Sequence, residues 1–402
     1  MVKLFISITC LTLQAFSATS VTVQDAAELQ RLFQFPVGSL VVTLMPGTYH
    51  LTPSYILDSS CGNCEDASTK VEATVGLHLR GRQIHLIGPA DKSATIHTHA
   101  GYGLYFEDCD DGLVENLTIT GGQRDTNGMA TDAAVVAKNS VVAIRNNLIT
   151  NNIGDSATVA KKVVGVMGIC GREGAVLTIS NNEIIRNSWD GIALYRSALA
   201  TIENNVVDGV DKARGAQVGG GRGVGIGVTW NAMATIRQNL VTRYWKGIGL
   251  FVDANGVVEQ NIVEDILTWG IAYWDADKGM PVGFINKNVI YKTGACGASI
   301  TRTREGENPG LFTDNIIVGT GQNEKYDSPD YYCYQCALAL HAVPKGFLIE
   351  GNIFYNNRRA TADLPDYDIS RDKFEAAVND RCKELASRPV FRRSVFLKDF
   401  LR

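Results

Sequence analysis

Aromatic, basic and acidic residues recur at matching places in a series of short apolar segments. The segments are Gly191-Ile-Ala-Leu-Tyr195, Gly225-Ile-Gly-Val-Thr229, Gly247-Ile-Gly-Leu-Phe251, Gly270-Ile-Ala-Tyr-Trp274, Gly297-Ala-Ser-Ile-Thr301 and Ala337-Leu-Ala-Leu-His341. Aligned on their apolar residues, they place Tyr195, Thr229, Phe251, Trp274, Thr301 and His341 at one outward position. Just beyond it come Arg196, Trp230, Asp253, Asp275, Asp277, Lys278, Arg302 and Arg304. Just before the segments stand Trp189, Asp190, Trp245, Lys246 and Trp269, so all 5 tryptophans fall in this band. Flat aromatic faces suit the apolar faces of sugar rings, and charged groups suit uronates or sulfated sugars. Tyr195, Arg196, Trp230, Phe251, Trp274 and Arg304 are the candidate sugar contacts. The competing account is ordinary packing of outer strand residues beneath loops.

Two chemistries fit the band. A lyase removes the proton beside a uronate carboxylate, which takes a cation to neutralise the carboxylate and a base to accept the proton. Arg302, Arg304 or Lys278 can supply the cation, and Asp253, Asp275 and Asp277 are candidate calcium ligands. His341 can act as acid or base. A glycoside hydrolase instead needs two carboxylates across one glycosidic bond, and Asp253 and Asp275 are the pair at nearly matching positions.

What positions these groups is a repeat. The pattern apolar, any, Asn or similar, Asn, any, Ile or Val occurs at Ile144–Ile149, Ile179–Ile184, Ile202–Val207, Ile236–Val241, Val258–Val263, Ile285–Ile290, Phe312–Ile317 and Ile349–Phe354. Val114–Ile119 reads as an earlier copy, one residue shorter. Successive motif asparagines lie 35, 23, 34, 22, 27, 27 and 37 residues apart. The shortest gap sets a minimal coil, and the longer gaps carry loops, as solenoids tolerate. Both the motif and the glycine-led segment alternate with period two, which predicts strands, three to a coil. No amphipathic helix of 10 or more residues separates the copies. Asparagine tolerates the positive φ of a tight corner, and stacked amides can hydrogen-bond from coil to coil. The asparagines therefore read as structural. Asn116-Leu-Thr118 is a glycosylation sequon on an asparagine expected to point inward.

The predicted architecture is an all-β right-handed parallel β-helix of about ten coils, spanning residues 21–360. The segment 24–32 reads as a short helix plugging the first coil. Residues 361–402 form a C-terminal extension, in which Ser370–Ser387 predicts a helix with Ser370 as N-cap and Phe374, Ala377, Val378 and Leu385 as its apolar stripe. That helix is expected to cover the last coil.

Residues 1–20 read as a secretory signal: Lys3, then an apolar run to Phe16, then small residues. An extracellular location follows. Eight cysteines remain beyond Cys10, and the CxxC pairs Cys61–Cys64 and Cys333–Cys336 read as local loop staples rather than a shared zinc or redox site. Net charge is −4 without a long basic run, which argues against nucleic acid as partner. No later stretch is apolar enough for a membrane span. Gly219-Gly-Gly-Arg-Gly223 lacks the Lys-Ser/Thr and helix of a phosphate loop and reads as an insertion. A monomer acting on or binding polysaccharide is the expectation.

The opening Asp25-Ala-Ala-Glu-Leu29 and Val41-Val-Thr-Leu-Met-Pro-Gly-Thr-Tyr49, with the asparagine motif and three-strand coils, resemble the pectin lyase-like superfamily over roughly residues 21–360. The resemblance implies a right-handed β-helix and a substrate, if there is one, along the first strand's outer face, beside the long loops. That group holds lyases, hydrolases, epimerases and surface proteins. The polygalacturonase Asn-Thr-Asp and Gly-His-Gly signatures and the epimerase Asp-Pro-His-Asp signature are absent. Acidic polysaccharide with lyase-type β-elimination is the leading function, with calcium as a possible cofactor. A non-catalytic binding protein and a paired-carboxylate hydrolase are the alternatives.

Overall fold

The computed structural model describes residues 18–162, 164–209, 223–326 and 335–401. Most of the stretch read from sequence as a secretory signal, the glycine-rich run before Gly223 and Cys333 lie outside the described residues. The chain winds through three sheets of 12, 11 and 11 strands, each strand bonding to its counterpart in the next coil. Pairing is parallel throughout, apart from Ser54–Asp58, which runs antiparallel to Val71–Leu79 at the start of the third sheet. The stack thus has about one coil more than the spacing predicts. Thr19 and Ser20, placed in the leader by the sequence, form the start of the first strand and pair with Leu40 and Val41.

Period-two alternation explains the interior. Ile144, Ile179, Ile202, Ile236, Val258 and Ile285 stack in file along the first sheet, all buried. Ile149, Ile184, Val207, Val241, Val263 and Ile290 do the same along the second. Each methyl-rich layer meets the layer above and below, so the core is continuous from end to end.

The corner between these sheets divides the two roles that the sequence assigned to one asparagine. Positive φ falls on the first residue of the pair, at Asn146 (55°), Asn181 (57°), Asn204 (56°), Gln238 (58°), Gln260 (55°) and Lys287 (56°). The second residue carries the ladder. Asn239 donates from its amide side chain to Asn261 Oδ1 at 3.0 Å and to Ile202 O at 2.9 Å, and its own Oδ1 accepts from Asn205 at 3.0 Å. The file runs unbroken from Asn147 to Asn352. The Val114 copy is not shorter: Val114 pairs with Ile144, and Leu117 occupies the ladder position. Asn116 consequently does not point inward; it is half-buried at the outer corner, bonded to Asn146.

The ends are closed differently. Helix α1 (Ala26–Leu32) is capped by Asp25, which accepts from Glu28 N–H at 2.8 Å, and buries Leu29 against the first coils. Helix α2 (Ser156–Lys162) lies in the loop that joins Leu148–Thr150 of the second sheet to Met167–Arg172 of the third. Helix α3 (Arg371–Ala386) and helix α4 (Val395–Phe400) cover the outer flank of the second sheet rather than the end of the stack. Phe374, Val378, Cys382 and Leu385 of α3 pack with Phe396 and Leu397 on Leu240, Ile262, Val289, Ile316 and Val318. Ala377 faces solvent, and Cys382 takes its place in the stripe. Ser370 stands at the N-cap position without a side-chain cap bond. Those outward strand residues are apolar, so they require a cover, and the helices supply it. At the final coil, Tyr367 lies over Phe354.

Candidate active site on the third sheet

The glycine-led segments form the third sheet, and its outward residues stack in the predicted row. Tyr195, Thr229, Phe251, Trp274 and Thr301 occupy successive strands in register. The row breaks at its end, where a bulge after Ile300 sets Ala342 opposite Thr301. His341 is displaced and exposed, away from the row.

Two residues earlier on each strand, the outward residues are small: Ala193, Gly227, Gly249 and Ala272. Small side chains leave room, and a cleft of about 340 Å³ opens over Ala193 and Gly227, while the Phe251 ring covers Gly249. Trp189, Trp230 and Trp245 line it, with Asp190 and Tyr195 among the lining residues and Lys278 at the side. Arg196 and Trp230 follow their strands with φ of 50° and 53°, a conformation uncommon for bulky residues. The Arg196 guanidinium lies 4.9 Å from the Trp230 ring centre.

Asp190 is the chemical centre of the cleft. It is buried, and its Oδ1 accepts the Val224 N–H at 2.6 Å. Burial pushes its carboxyl up to about 7, against the Val224 bond and the nearby Lys246 charge. Tyr195 lies near it with its hydroxyl 3.9 Å from Met167 Sδ, and burial together with the Asp190 charge holds the phenol well above its usual range. Lys246 is buried with its ammonium 3.1 Å from the Trp245 ring centre and 4.6 Å from that of Trp269. A carboxyl poised near neutrality beside a neutral phenol and a buried cation can give or take a proton. The sequence placed Asp190 and Lys246 in the band without a chemical role; their burial, invisible in one dimension, is what distinguishes them.

The other candidates are engaged elsewhere. Arg302 is buried and donates to Arg304 O at 3.0 Å and Pro281 O at 2.9 Å, so it braces a loop. Asp275 Oδ2 accepts from Thr303 N–H and hydroxyl at 2.6 and 2.7 Å, and Oδ1 accepts from Asp277 N–H at 3.1 Å. Burial pushes its carboxyl up, but these bonds outweigh that and hold it below the usual range. Asp253 Oδ1 accepts Asn231 N–H at 2.7 Å, and Asp277 is exposed. Neither Asp253 nor Asp275 lines the cleft. The candidate calcium ligands Asp253, Asp275 and Asp277 do not gather their carboxylates into one group. Arg304 is exposed and donates to Lys278 O at 3.0 Å. Phe251, by contrast, lines the cleft, and Trp274 meets it edge to face at 6.4 Å without lining the cleft itself.

The row continues toward the N-terminus, beyond the sequence alignment. Glu107, Lys138 and Arg172 stand in register on successive strands. Asp58 pairs with Arg172 and, at 2.7 Å, with Lys138; Glu107 accepts from Tyr105 at 2.9 Å and lies 2.8 Å from His78. The His78 bond, opposed by burial and aided by Tyr105, lowers Glu107 to about 2. A loop closed by the Cys61–Cys64 disulfide covers this network. A Cβ on Gly62 would meet Arg172 Cδ at 2.6 Å, so only glycine allows so close a cover. The same loop reaches the cleft, where Asn63 accepts from Trp230 Nε1 at 3.0 Å and Glu65 pairs with Lys278. Cys109, Cys170 and Cys382 are buried thiols, not partners in further disulfides.

Residues 92–217 and 165–357 match the family model described as right handed beta helix region. The chain belongs to the right-handed β-helix family. Among solved structures, this β-helix protein is similar to a hyperthermoactive exopolygalacturonase from Thermotoga maritima (12% identity, TM-score 0.48, 81% of this chain and 82% of the other). It is also similar to a mannuronic acid specific polysaccharide family 6 lyase from human gut microbiota (11%, 0.35, 94% and 98%). A third is PfbA, a surface adhesin of Streptococcus pneumoniae (13%, 0.34, 85% and 92%). A hydrolase, a lyase and an adhesin share the likeness, which at such identity and TM-score says nothing of activity. No curated protein matches the sequence.

Proposed function

We propose that this β-helix protein is exported and acts on an acidic polysaccharide held in the third-sheet cleft, by lyase-type β-elimination. The observation that carries the reading is the tryptophan-lined cleft with Asp190, a buried carboxyl raised to about 7, among its lining residues. In this scheme the tryptophans stack on sugar rings, and Lys278 and Arg196 neutralise the uronate carboxylate. Asp190 as carboxylate takes the proton beside that carboxylate. The electron pair forms the new double bond as the neighbouring glycosidic C–O bond breaks, and the leaving oxygen takes a proton supplied by the Tyr195 hydroxyl. The Cys61–Cys64 disulfide supports an oxidising destination. Among the described residues no helix is long and apolar enough to cross a membrane.

A non-catalytic polysaccharide-binding role is the second reading. Its support is that Arg302 and Asp275, in the band's C-terminal part, are committed to loop contacts. Incubation with polygalacturonate, alginate and glycosaminoglycans, followed by ultraviolet absorbance of the unsaturated product, separates the two. Turnover lost in Asp190→Asn with binding retained is the expected result. Binding of these glycans by the wild type without any product establishes the second reading, and no binding to any of them removes both. Trp230→Ala is expected to weaken binding about fivefold to tenfold, from ~1–1.5 kcal/mol for an aromatic contact.

A further inference from the structure

Three of the chain's 6 histidines meet on the outer face of the second sheet, far in sequence from the tryptophan band. His50 ends the strand Gly47–His50 and His97 ends Ala94–His97, and the two are in register on adjacent coils. Tyr49 and Ile96 point into the core, so the flanking His50 and His97 point outward. His99 follows two residues later at a corner with φ of 51°, which turns its ring back over the strand ends. His50 Nδ1 lies 3.1 Å from His99 Nε2, and one nitrogen from each of the three rings lies within 4.8 Å of the others. The rings are stacked, with centres 4.6, 5.4 and 5.8 Å apart. Gly121 passes beside them, and a Cβ there would sit 3.1 Å from His97 Nδ1. The absence of that side chain leaves the nitrogen uncovered.

We propose that His50, His97 and His99 form a site for a divalent transition-metal ion of the zinc and copper class. The donor set argues for the class. Three imidazoles and no carboxylate favour zinc or copper and disfavour calcium and magnesium, which take oxygen. The spacing agrees, since two imidazole nitrogens on one tetrahedral zinc at about 2.0–2.1 Å are about 3.3 Å apart. His50 and His99 are exposed, so small rotamer changes bring the third nitrogen to the same centre at little packing cost. A fourth position faces solvent and takes water. The ion ties together two coils through residues 49 apart in sequence. The site is independent of the proposed glycan chemistry.

The test uses the full chain, stripped with a chelator and titrated calorimetrically with Zn²⁺ and then Cu²⁺. One ion per chain is expected, with calcium failing to compete. His97→Ala, and the triple His50→Ala/His97→Ala/His99→Ala, should weaken binding by at least about tenfold, while His341→Ala and His85→Ala leave it unchanged. Electron paramagnetic resonance of the Cu²⁺ form should show nitrogen ligands, and Zn²⁺ should raise the unfolding midpoint of the wild type but not of the triple variant. His99→Gln, at an exposed corner, gives the same reading should the triple variant fail to fold. A wild type that binds neither ion, equal binding by the variants, or a copper spectrum with oxygen ligands alone would overturn the proposal.

Discussion

The outer face of the third sheet holds two regions built on one backbone row. Toward the N-terminus the row is Glu107, Lys138 and Arg172, sealed beneath the Cys61–Cys64 loop. Toward the C-terminus it becomes Tyr195, Thr229, Phe251 and Trp274, beside an open cleft. Register and strand direction are the same in both. The difference is the inserted loop, which removes water from one region and stops at the rim of the other. Covered charges had to find partners, because an unpaired buried charge is costly. Beside the cleft the lining aromatics Trp189, Trp230, Trp245 and Phe251 border open space instead of a covering loop. In a solenoid the repeat sets where a side chain points, and the insertions set what surrounds it.

The comparison can be broken most forcefully at Arg172. Arg172→Met leaves buried Asp58 with Lys138 as its remaining cation and is expected to cost about 3 kcal/mol, the low end of the range for breaking a buried pair, read by denaturant unfolding. Adding Asp58→Leu should recover part of that loss, since Met and Leu need no partner and Lys138 keeps Glu107 at 3.5 Å; failure to recover would mean that the network does more than compensate itself. Asn239→Ala, at the corner both regions depend on, leaves buried amides unpaired and should cost about 1–3 kcal/mol. Leu117 already occupies this position in one coil, so Asn239→Leu should cost less than Asn239→Ala.

Asp190 sharpens the contrast through pH. Its folded pKa of about 7 exceeds the unfolded value of about 3.9. Between these values the folded protein holds the proton that the unfolded chain has released, so this group makes stability fall as pH rises from about 4 to 7. Glu107 has the opposite sign, because its lowered pKa gives stability that is lost as pH falls from about 4 to 2. Unfolding midpoints of Asp190→Asn should therefore gain on the wild type as pH rises through the first window. A constant difference between the two would show that Asp190 is not held protonated. Gly62→Ala pushes the loop off Arg172 and should cost about 1 kcal/mol. Smallest of all, Glu65→Gln removes an exposed partner of Lys278 and should leave the unfolding midpoint unmoved.

How far the sequence was legible follows from the range of each interaction. Coil order, strand pairing and the outward row from Tyr195 to Thr301 were readable because period-two alternation and asparagine spacing are local patterns that stacking then copies. His341 fell out of the row because of a bulge, which inserts a residue without leaving a sequence mark. Arg302 and Asp275 looked available for chemistry because the loops that bind them carry no periodic signal. Asp190 stood in the band but drew no role until its burial was known.

By itself, then, the chain determined a winding of short strands with buried asparagine corners and an outward band rich in tryptophan, since each depends on residues a few positions apart. Tertiary structure alone decided which of those outward groups meet water. That choice belongs to segments distant in sequence: the disulfide loop over Arg172, the C-terminal helices on the second sheet, and the coil contact that brings His50 to His97. Solvent access governs the cost of charge and the pKa of an acid, and no local pattern encodes it.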